Sequence, residues 1–118
     1  MKHLFYLALA AITAIFISCS APQSPAANTE HSFKVWGNCE QCQATIEKAA
    51  ALKGVSNISW SEESNLLKFT VDTTLASDDD VLKAVAASGY DNERYTADPA
   101  AYAGLPECCQ YVRKGEEH

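Results

Sequence analysis

The segment that decides the fold is Gly37-Asn38-Cys39-Glu40-Gln41-Cys42, in which two residues separate a pair of cysteines. The pair lies where an extended pattern gives way to a helical one, so Cys39 is expected near a helix N-terminus. The free backbone N–H groups and the dipole at that end favour a thiolate over a thiol. Such surroundings can lower a cysteine pKa from about 8.5 to about 3.5–7.5. The pair is therefore suited either to soft-metal binding or to redox chemistry.

The residues on either side of this segment predict a strand and then a helix. Apolar and polar side chains alternate over residues 31–36, which places Phe33 and Val35 on one buried face of a strand. After the cysteines, residues 41–52 have the periodicity of a helix, and Gly54 provides the usual C-terminal stop. The cysteine pair is thus expected in a strand-to-helix loop.

A hairpin follows. Residues 55–60 and 66–71 both predict strands, and the polar residues 61–65 between them predict a turn. In the second of these strands, alternate residues form one apolar face: Leu67, Phe69 and Val71.

A second helix and a fourth strand complete the pattern. Ser77 is a favourable N-cap, and Asp78–Asp80 place negative charge where the helix dipole stabilises it, which explains the three aspartates better than a metal site does. Gly89 ends this helix, and residues 90–95 predict a strand. The order is β-α-β-β-α-β over residues 30–96, so the predicted fold class is α+β, a ferredoxin-like sandwich with both helices on one face of an antiparallel sheet.

The N-terminal part predicts export and anchoring. Residues 1–18 have the polar start, apolar centre and small-residue end of a signal peptide, and their apolar run is too short for a comfortable membrane span. The end of this segment, Phe16-Ile17-Ser18-Cys19, resembles a bacterial lipobox, in which the cysteine is lipidated. Residues 19–29 are rich in Pro, Ala and Ser and suit a flexible tether. The alternative is an ordinary signal peptide in which Cys19 is incidental.

The charge balance bears on the partners. The chain has a formal net charge of −6. An acidic domain is poorly suited to bind nucleic acid or an anionic membrane surface, so we expect no nucleic-acid partner and contact with the membrane through the lipid anchor alone. We also find no Ser/His/Asp triad and no Gly-rich phosphate loop in the sequence, and we expect no enzymatic activity.

Five segments spread over nearly all of residues 32–95 carry a family resemblance: Cys39-x-x-Cys42, Ile46-Glu47-Lys48-Ala49, Leu52-Lys53-Gly54-Val55, Ile58-x-Trp60 and Ser88-Gly89-Tyr90. In these segments the domain resembles the heavy-metal-associated family of copper chaperones, metal-ATPase N-terminal modules and periplasmic mercury-binding proteins. The resemblance implies that Cys39 and Cys42 bind one soft ion and that Tyr90 lies near the metal loop. One position departs from the family: Gly37 stands where a Met usually packs beneath the loop.

Ligand chemistry favours Cu(I) at this pair. Thiolates select soft ions, and two ligands without a nearby His suit Cu(I) better than structural zinc, which takes four. Hg(II), Zn(II) and Cd(II) remain alternatives. The expected partner is a metal-transporting or metal-accepting protein with a thiol-rich site.

The C-terminal extension, residues 97–118, carries the adjacent Cys108 and Cys109. Asp98 and Pro99 predict a short helix, and two docking places are open to the extension: the sheet face near Trp36, or the metal loop. Neighbouring side chains tend to diverge, so two adjacent cysteines seldom hold one ion. They could add a third thiolate to the Cys39/Cys42 site, form a second soft-metal site, or be oxidised to disulfides in an exported protein.

Three functions are compatible with these features. The first is a lipid-anchored protein of the cell envelope, facing the periplasm, that binds and relays Cu(I) or another soft ion. The second is an exported thiol-disulfide redox protein that uses Cys39 and Cys42. The third is an interaction module in which the cysteines serve as disulfide staples.

Overall fold

The computed structural model describes residues 28–117, so the predicted signal segment 1–18 and Cys19 lie outside the described residues. Three strands form an antiparallel sheet in the order β1-β3-β2. They are β1 (Asn28–Lys34), β2 (Val55–Trp60) and β3 (Leu66–Asp72). Strand β1 begins earlier than the alternating pattern indicated and includes two residues that the sequence assigned to the tether, Asn28 and Thr29.

Two helices cover one face of this sheet: α1 (Glu40–Ala50) and α2 (Asp78–Ala87). The core lies between the helices and the face of β3 that carries Leu67, Phe69 and Val71, as the alternation predicted. The helices contribute these buried residues: Cys42, Ile46 and Ala50 from α1, and Val81, Leu82, Val85 and Ala86 from α2. Cys42 therefore belongs to the core, although it lies in the first turn of α1, directly after the cysteine loop.

The start of α2 has the predicted cap. The Ser77 hydroxyl accepts a hydrogen bond from the backbone N–H of Asp80 (3.0 Å), and the Asp80 carboxylate accepts one from the backbone N–H of Ser77 (3.0 Å). Asp78 and Asp79 are paired with the Arg94 side chain. The three aspartates thus cap the N-terminus of α2 or pair with Arg94, in agreement with the capping interpretation.

The predicted fourth strand over residues 90–95 is wrong. In this part of the described chain, a single antiparallel bridge between Val35 and Asn92 takes its place beside β1. The Asn92 side-chain oxygen accepts hydrogen bonds from the backbone N–H groups of Arg94 and Tyr95, both at 3.1 Å, and so turns the chain away from the sheet. A side chain that bonds its own backbone in this way favours a turn over a strand.

The extension forms two short helical elements. Helix α3 (Pro99–Ala103) has the predicted cap, since the Asp98 carboxylate accepts hydrogen bonds from the backbone N–H groups of Ala100 and Ala101. A 3-10 helix (Glu107–Cys109), which the sequence did not indicate, follows and packs against α1.

Buried contacts hold the extension against the domain. The Arg113 guanidinium binds the buried Asp91 carboxylate through Nε (2.7 Å) and Nη2 (2.9 Å). Tyr111 is 2% exposed, and its hydroxyl donates to the carbonyl of Gly89 (2.7 Å) and accepts from the backbone N–H of Asp91 (2.7 Å). These contacts make the extension part of the core.

The extension uses both of the docking places considered from the sequence. Its 3-10 helix reaches the cysteine loop, while the Glu117 carboxylate accepts a hydrogen bond from the Trp36 indole and Lys114 lies 6.0 Å from the centre of that ring. Among residues 28–117, no helix combines the length and apolar character needed to cross a bilayer.

Candidate metal centre

The Cys39 and Cys42 sulfurs meet at the N-terminus of α1. Cys39 is the N-cap residue in an extended conformation, and Cys42 lies in the first turn with its side chain fully buried. The two Sγ atoms are 3.3 Å apart. A residue pair at positions i and i+3 shares one helix face, so this spacing directs both sulfurs to the same side of the loop.

The loop rests on Trp60. A Cβ atom built at Gly37 would lie only 2.8 Å from the Trp60 ring, so the indole already fills the space beneath the loop. Trp60 is 1% exposed, and its Nε1–H donates to the Val35 carbonyl (2.9 Å). The backbone N–H of Gly37 donates to the side-chain oxygen of Asn65 (3.1 Å). In this chain an aromatic ring from β2 therefore supports the loop where a Met is expected from the family resemblance.

The extension brings two more sulfurs to the loop. Cys109 Sγ lies 3.5 Å from Cys39 Sγ and 3.8 Å from Cys108 Sγ. The sulfurs of Cys39, Cys108 and Cys109 all lie within 4.8 Å of one another. We expected the side chains of the adjacent Cys108 and Cys109 to diverge. The 3-10 helix instead keeps their sulfurs close together.

Two amide side chains contact these sulfurs. The Cys42 thiol donates to the Asn38 side-chain oxygen (3.2 Å), and the Cys108 thiol donates to the Gln41 side-chain oxygen (2.9 Å). A carboxamide accepts at its oxygen and donates at its nitrogen. If the amide group rotates about its last side-chain bond, it can accept a hydrogen bond from a thiol through its oxygen or donate one to a thiolate through its nitrogen.

The surroundings shift the pKa values of the Cys39 and Cys109 thiols in opposite directions. Burial raises the pKa of Cys39, but the backbone amides of Cys42 and Gln41 and the thiols of Cys42 and Cys109 lower it, and the net pKa lies below its usual value. Burial, together with the neighbouring Cys39 and Cys42, raises the pKa of Cys109 far above its usual value. Cys39 at the helix end is therefore the more readily ionised thiol of the two.

Tyr90 lies behind the sulfurs. Its side chain is fully buried, and its hydroxyl has no hydrogen-bond partner among the described residues. Burial raises the pKa of Tyr90 well above its usual value, and the adjacent Cys42 and Cys109 raise it further. The hydroxyl therefore keeps its proton and is available to donate to a sulfur that carries negative charge.

The outer side of the cluster opens to solvent. A depression of about 330 Å³ is lined by Cys39, Glu40, Gln41, Glu62 and Cys108. A second depression, of about 340 Å³, lies over the sheet beside His31 and contains no cysteine. Because Cys108 is exposed and Cys42 is buried, the sulfurs form a series that leads from the surface into the core.

The structure brings together all the predicted site residues that it describes: Cys39, Cys42, Tyr90, Cys108 and Cys109. Their role as ligands stays a prediction. Sequence reasoning did not identify Asn38, Gln41 or the supporting role of Trp60. Asn38 and Gln41 lie inside the cysteine segment itself. For Trp60, the available signal was the combination of a large side chain at position 60 with the absence of a side chain at Gly37.

No protein-family model and no curated protein sequence matches the chain. Among solved structures, the CopZ metallochaperone matches with a TM-score of 0.52 and 21% sequence identity, over 54% of this chain and 98% of that chain. The solution structure of a Bacillus anthracis str. Ames protein named for copper-ion binding matches with a TM-score of 0.55 and 23% identity, over 58% of this chain and 99% of that chain. At these identities the likeness establishes a shared small α+β fold.

Proposed function

We propose that this protein carries a soft metal ion, with Cu(I) as its cargo, on the thiolates of Cys39 and Cys42. The observation that carries the proposal is the 3.3 Å separation of the two sulfurs at the N-terminus of α1. With metal–thiolate bonds of about 2.3 Å, one ion holds two sulfurs about 3.8 Å apart in tetrahedral and about 4.6 Å apart in linear geometry. A modest opening of the pair therefore admits an ion.

Three arguments support Cu(I). Thiolates prefer soft ions. Cys39 and Cys42 form a two-sulfur site at a helix N-terminus, whose dipole offsets the negative charge of a Cu(I)-dithiolate. The names of the two structural neighbours refer to a metallochaperone and to copper-ion binding. Hg(II), Zn(II) and Cd(II) are the competing cargoes, and the proposal assigns no catalytic residue.

The open depression supports transfer to a partner with a thiol-rich site. Cys39 is partly exposed there, so a partner thiolate can bond the ion as a bond to this chain breaks, and Cu(I) keeps its oxidation state. Glu40 and Glu62 line the same depression. Their negative charge favours a metal-transporting or metal-accepting partner with basic residues around its thiols.

We also propose that the carrier is lipid-anchored at Cys19 and faces the periplasm from the cell envelope. The sequence of residues 1–18, the lipobox-like Phe16-Ile17-Ser18-Cys19 and the uncharged tether support this location.

Cu(I) titration of the reduced protein tests the function. In competition with a chromophoric Cu(I) chelator under anaerobic conditions, the wild type should take up Cu(I), and Cys39→Ser/Cys42→Ser should lose most of that uptake. Ala44→Ser, an exposed substitution in α1, is the matched control and should titrate like the wild type. Uptake that is unchanged in the double variant would refute the proposed pair.

Thiol-disulfide exchange is the second candidate, because the sulfurs are close enough to form disulfides after small movements. All four described cysteines are unpaired in the structure, and the Cys39 and Cys42 sulfurs lie 3.3 Å apart. Catalysed reduction of a disulfide substrate by the metal-free protein, lost in Cys39→Ser, would instead favour the redox function. Absence of free thiols in protein alkylated directly in its envelope would favour disulfide staples.

A further inference from the structure

Cys109 and Cys39 lie at the centre of the sulfur series. Cys109 is only 2% exposed, although it comes from a short 3-10 helix at the surface, and its Sγ is 3.5 Å from that of Cys39. A structural thiol needs no second sulfur at this distance. Both separations in which Cys109 takes part, 3.5 Å to Cys39 and 3.8 Å to Cys108, come close to the spacing of about 3.8–4.6 Å for two sulfurs on one ion.

The sulfurs form two sets that share Cys39. The inner set is the Cys39/Cys42 pair, and the outer set is Cys39, Cys108 and Cys109, whose sulfurs lie within 4.8 Å of one another. We propose that the outer set is a second position for the ion, and that the ion passes through it on its way between Cys108 at the surface and Cys42 in the core. This inference rests on the carrier function proposed above.

The neighbouring polar groups fit two positions. The Gln41 amide contacts the outer sulfur of Cys108, while the Asn38 amide contacts the inner sulfur of Cys42. The Tyr90 hydroxyl, buried and without a partner among the described residues, stands beside Cys42 and Cys109. Each set therefore has an amide of its own, and the hydroxyl is placed to donate to either buried thiolate.

The movement is a ligand exchange. The Cys109 thiol and then the Cys108 thiol each lose a proton to solvent as their sulfurs bond the ion, and the Cys42–metal bond breaks as Cys42 takes up a proton, so one proton is released in all. The Cys39–metal bond persists throughout, and Cu(I) is neither oxidised nor reduced. The reverse sequence loads the inner pair, so one path serves both uptake and release.

Alkylation of Cys108 provides the first test, because this thiol is exposed in the metal-free protein. The reduced Cys42→Ser protein, in which the outer set alone can hold the ion, is treated with iodoacetamide with and without one equivalent of Cu(I), and the modified sites are counted by peptide mass spectrometry. We expect Cu(I) to slow alkylation of Cys108 at least about tenfold, which corresponds to about 1.4 kcal/mol. An unchanged alkylation rate would overturn the outer position.

Affinity measurements on serine variants provide the second test. Cys42→Ser leaves the outer set intact, so this variant should still bind one equivalent of Cu(I), and Cys42→Ser/Cys108→Ser should bind at least about tenfold more weakly than Cys42→Ser. Ala103→Ser, an exposed substitution in α3, is the control for changes in the extension. Circular dichroism verifies that each variant is folded.

The outcomes separate the two proposals. Suppose that Cys39→Ser/Cys42→Ser loses Cu(I), while Cys42→Ser and Cys42→Ser/Cys108→Ser have equal Cu(I) affinity. The carrier function then stands, and the outer position is wrong. If the wild type itself takes up no Cu(I), both proposals fail.

Discussion

The Trp60 ring fills the space beneath the cysteine loop at Gly37. The Trp60 ring stands 2.8 Å from the place of a Gly37 Cβ, so even a methyl group at position 37 must displace it. Real side chains essentially never approach so closely without a shift of the backbone or the ring. The cysteine loop therefore depends on the absence of a side chain at position 37.

We expect Gly37→Met to destabilise the protein. Overpacking of a well-filled interior costs about 1–3 kcal/mol, and a Cβ at position 37 would also lie 3.3 Å from the Cβ of Cys42. The free energy of unfolding from urea denaturation measures the effect. Gly104→Ala is the control, because a Cβ there meets its nearest neighbour at an ordinary 3.5 Å. Equal stability of Gly37→Met and wild type would contradict the role given to Trp60.

Tyr90→Phe should affect the metal-free and the metal-bound protein in opposite directions. Removal of a buried hydroxyl without a partner should leave the metal-free protein as stable or up to about 1 kcal/mol more stable. Cu(I) affinity should fall at least about tenfold, because a hydrogen bond to a charged group contributes about 1.5–3 kcal/mol. Thermal unfolding and the chelator competition measure the two effects.

Tyr95→Phe is the matched control for that substitution. The Tyr95 hydroxyl donates to the Asp79 carboxylate (2.5 Å), at the start of α2 and away from the sulfurs. This variant should lose stability and keep its Cu(I) affinity. The hydroxyl of Tyr90 has no role at the sulfurs if the two variants behave alike.

The C-terminal extension is fastened to the domain by the ion pair between Arg113 and the buried Asp91. Burial raises the pKa of Asp91, but the Arg113 guanidinium and the backbone N–H groups of Ala97 and Lys114 lower it more, so the net pKa lies below its usual value. A carboxylate of this kind stabilises the folded state above its unfolded pKa of about 3.9, and that contribution disappears as the pH falls through the folded pKa.

Arg113→Met should therefore destabilise the protein at neutral pH, by an amount near the lower end of the about 3–5 kcal/mol found for broken buried pairs. The difference from wild type should shrink as the pH falls through the folded-state pKa of Asp91, which lies below its usual value of about 3.9, because only there does Asp91 become protonated in the wild type as well as in the variant. Urea denaturation over a pH series measures this. Arg94→Met, which removes a largely exposed partner of Asp78, should cost about 1 kcal/mol or less. A constant difference at all pH values would contradict the assignment to Asp91.

Local sequence patterns predicted most elements because their causes are local. Alternation identified the buried face of β3, and the Ser77 cap identified the start of α2, since each depends on residues close in the chain. The fourth strand failed because the Asn92 side chain competes for backbone N–H groups that a strand needs. Hydrophobic alternation carries no sign of that competition.

The candidate centre was predictable only in part, for a related reason. The Cys39/Cys42 pair is visible as a spacing, whereas the approach of Cys109 to Cys39 depends on Tyr111 and Arg113 fastening the extension to Gly89 and Asp91. These contacts join residues more than twenty positions apart, so no local pattern encodes them.

In the whole molecule, the described domain follows a segment that the sequence predicts to be a signal and a tether. If Cys19 is the anchor, Cys19→Ser should abolish incorporation of a labelled fatty acid and move the protein from the membrane to the soluble fraction of its native cells. Ser20→Ala, the neighbouring substitution, should leave both unchanged. Fatty-acid labelling that persists in Cys19→Ser would refute the anchor.

The close approach of Gly37 to Trp60 also restricts how this chain can change in evolution. While Trp60 is present, any larger residue at position 37 meets the ring and costs about 1–3 kcal/mol. If a smaller residue at position 60 comes first, the intermediate instead carries a cavity beneath its cysteines. Loss of a large buried side chain costs about 3–5 kcal/mol, a large share of the about 5–15 kcal/mol that stabilises a typical domain. The two positions are therefore expected to be inherited as a pair.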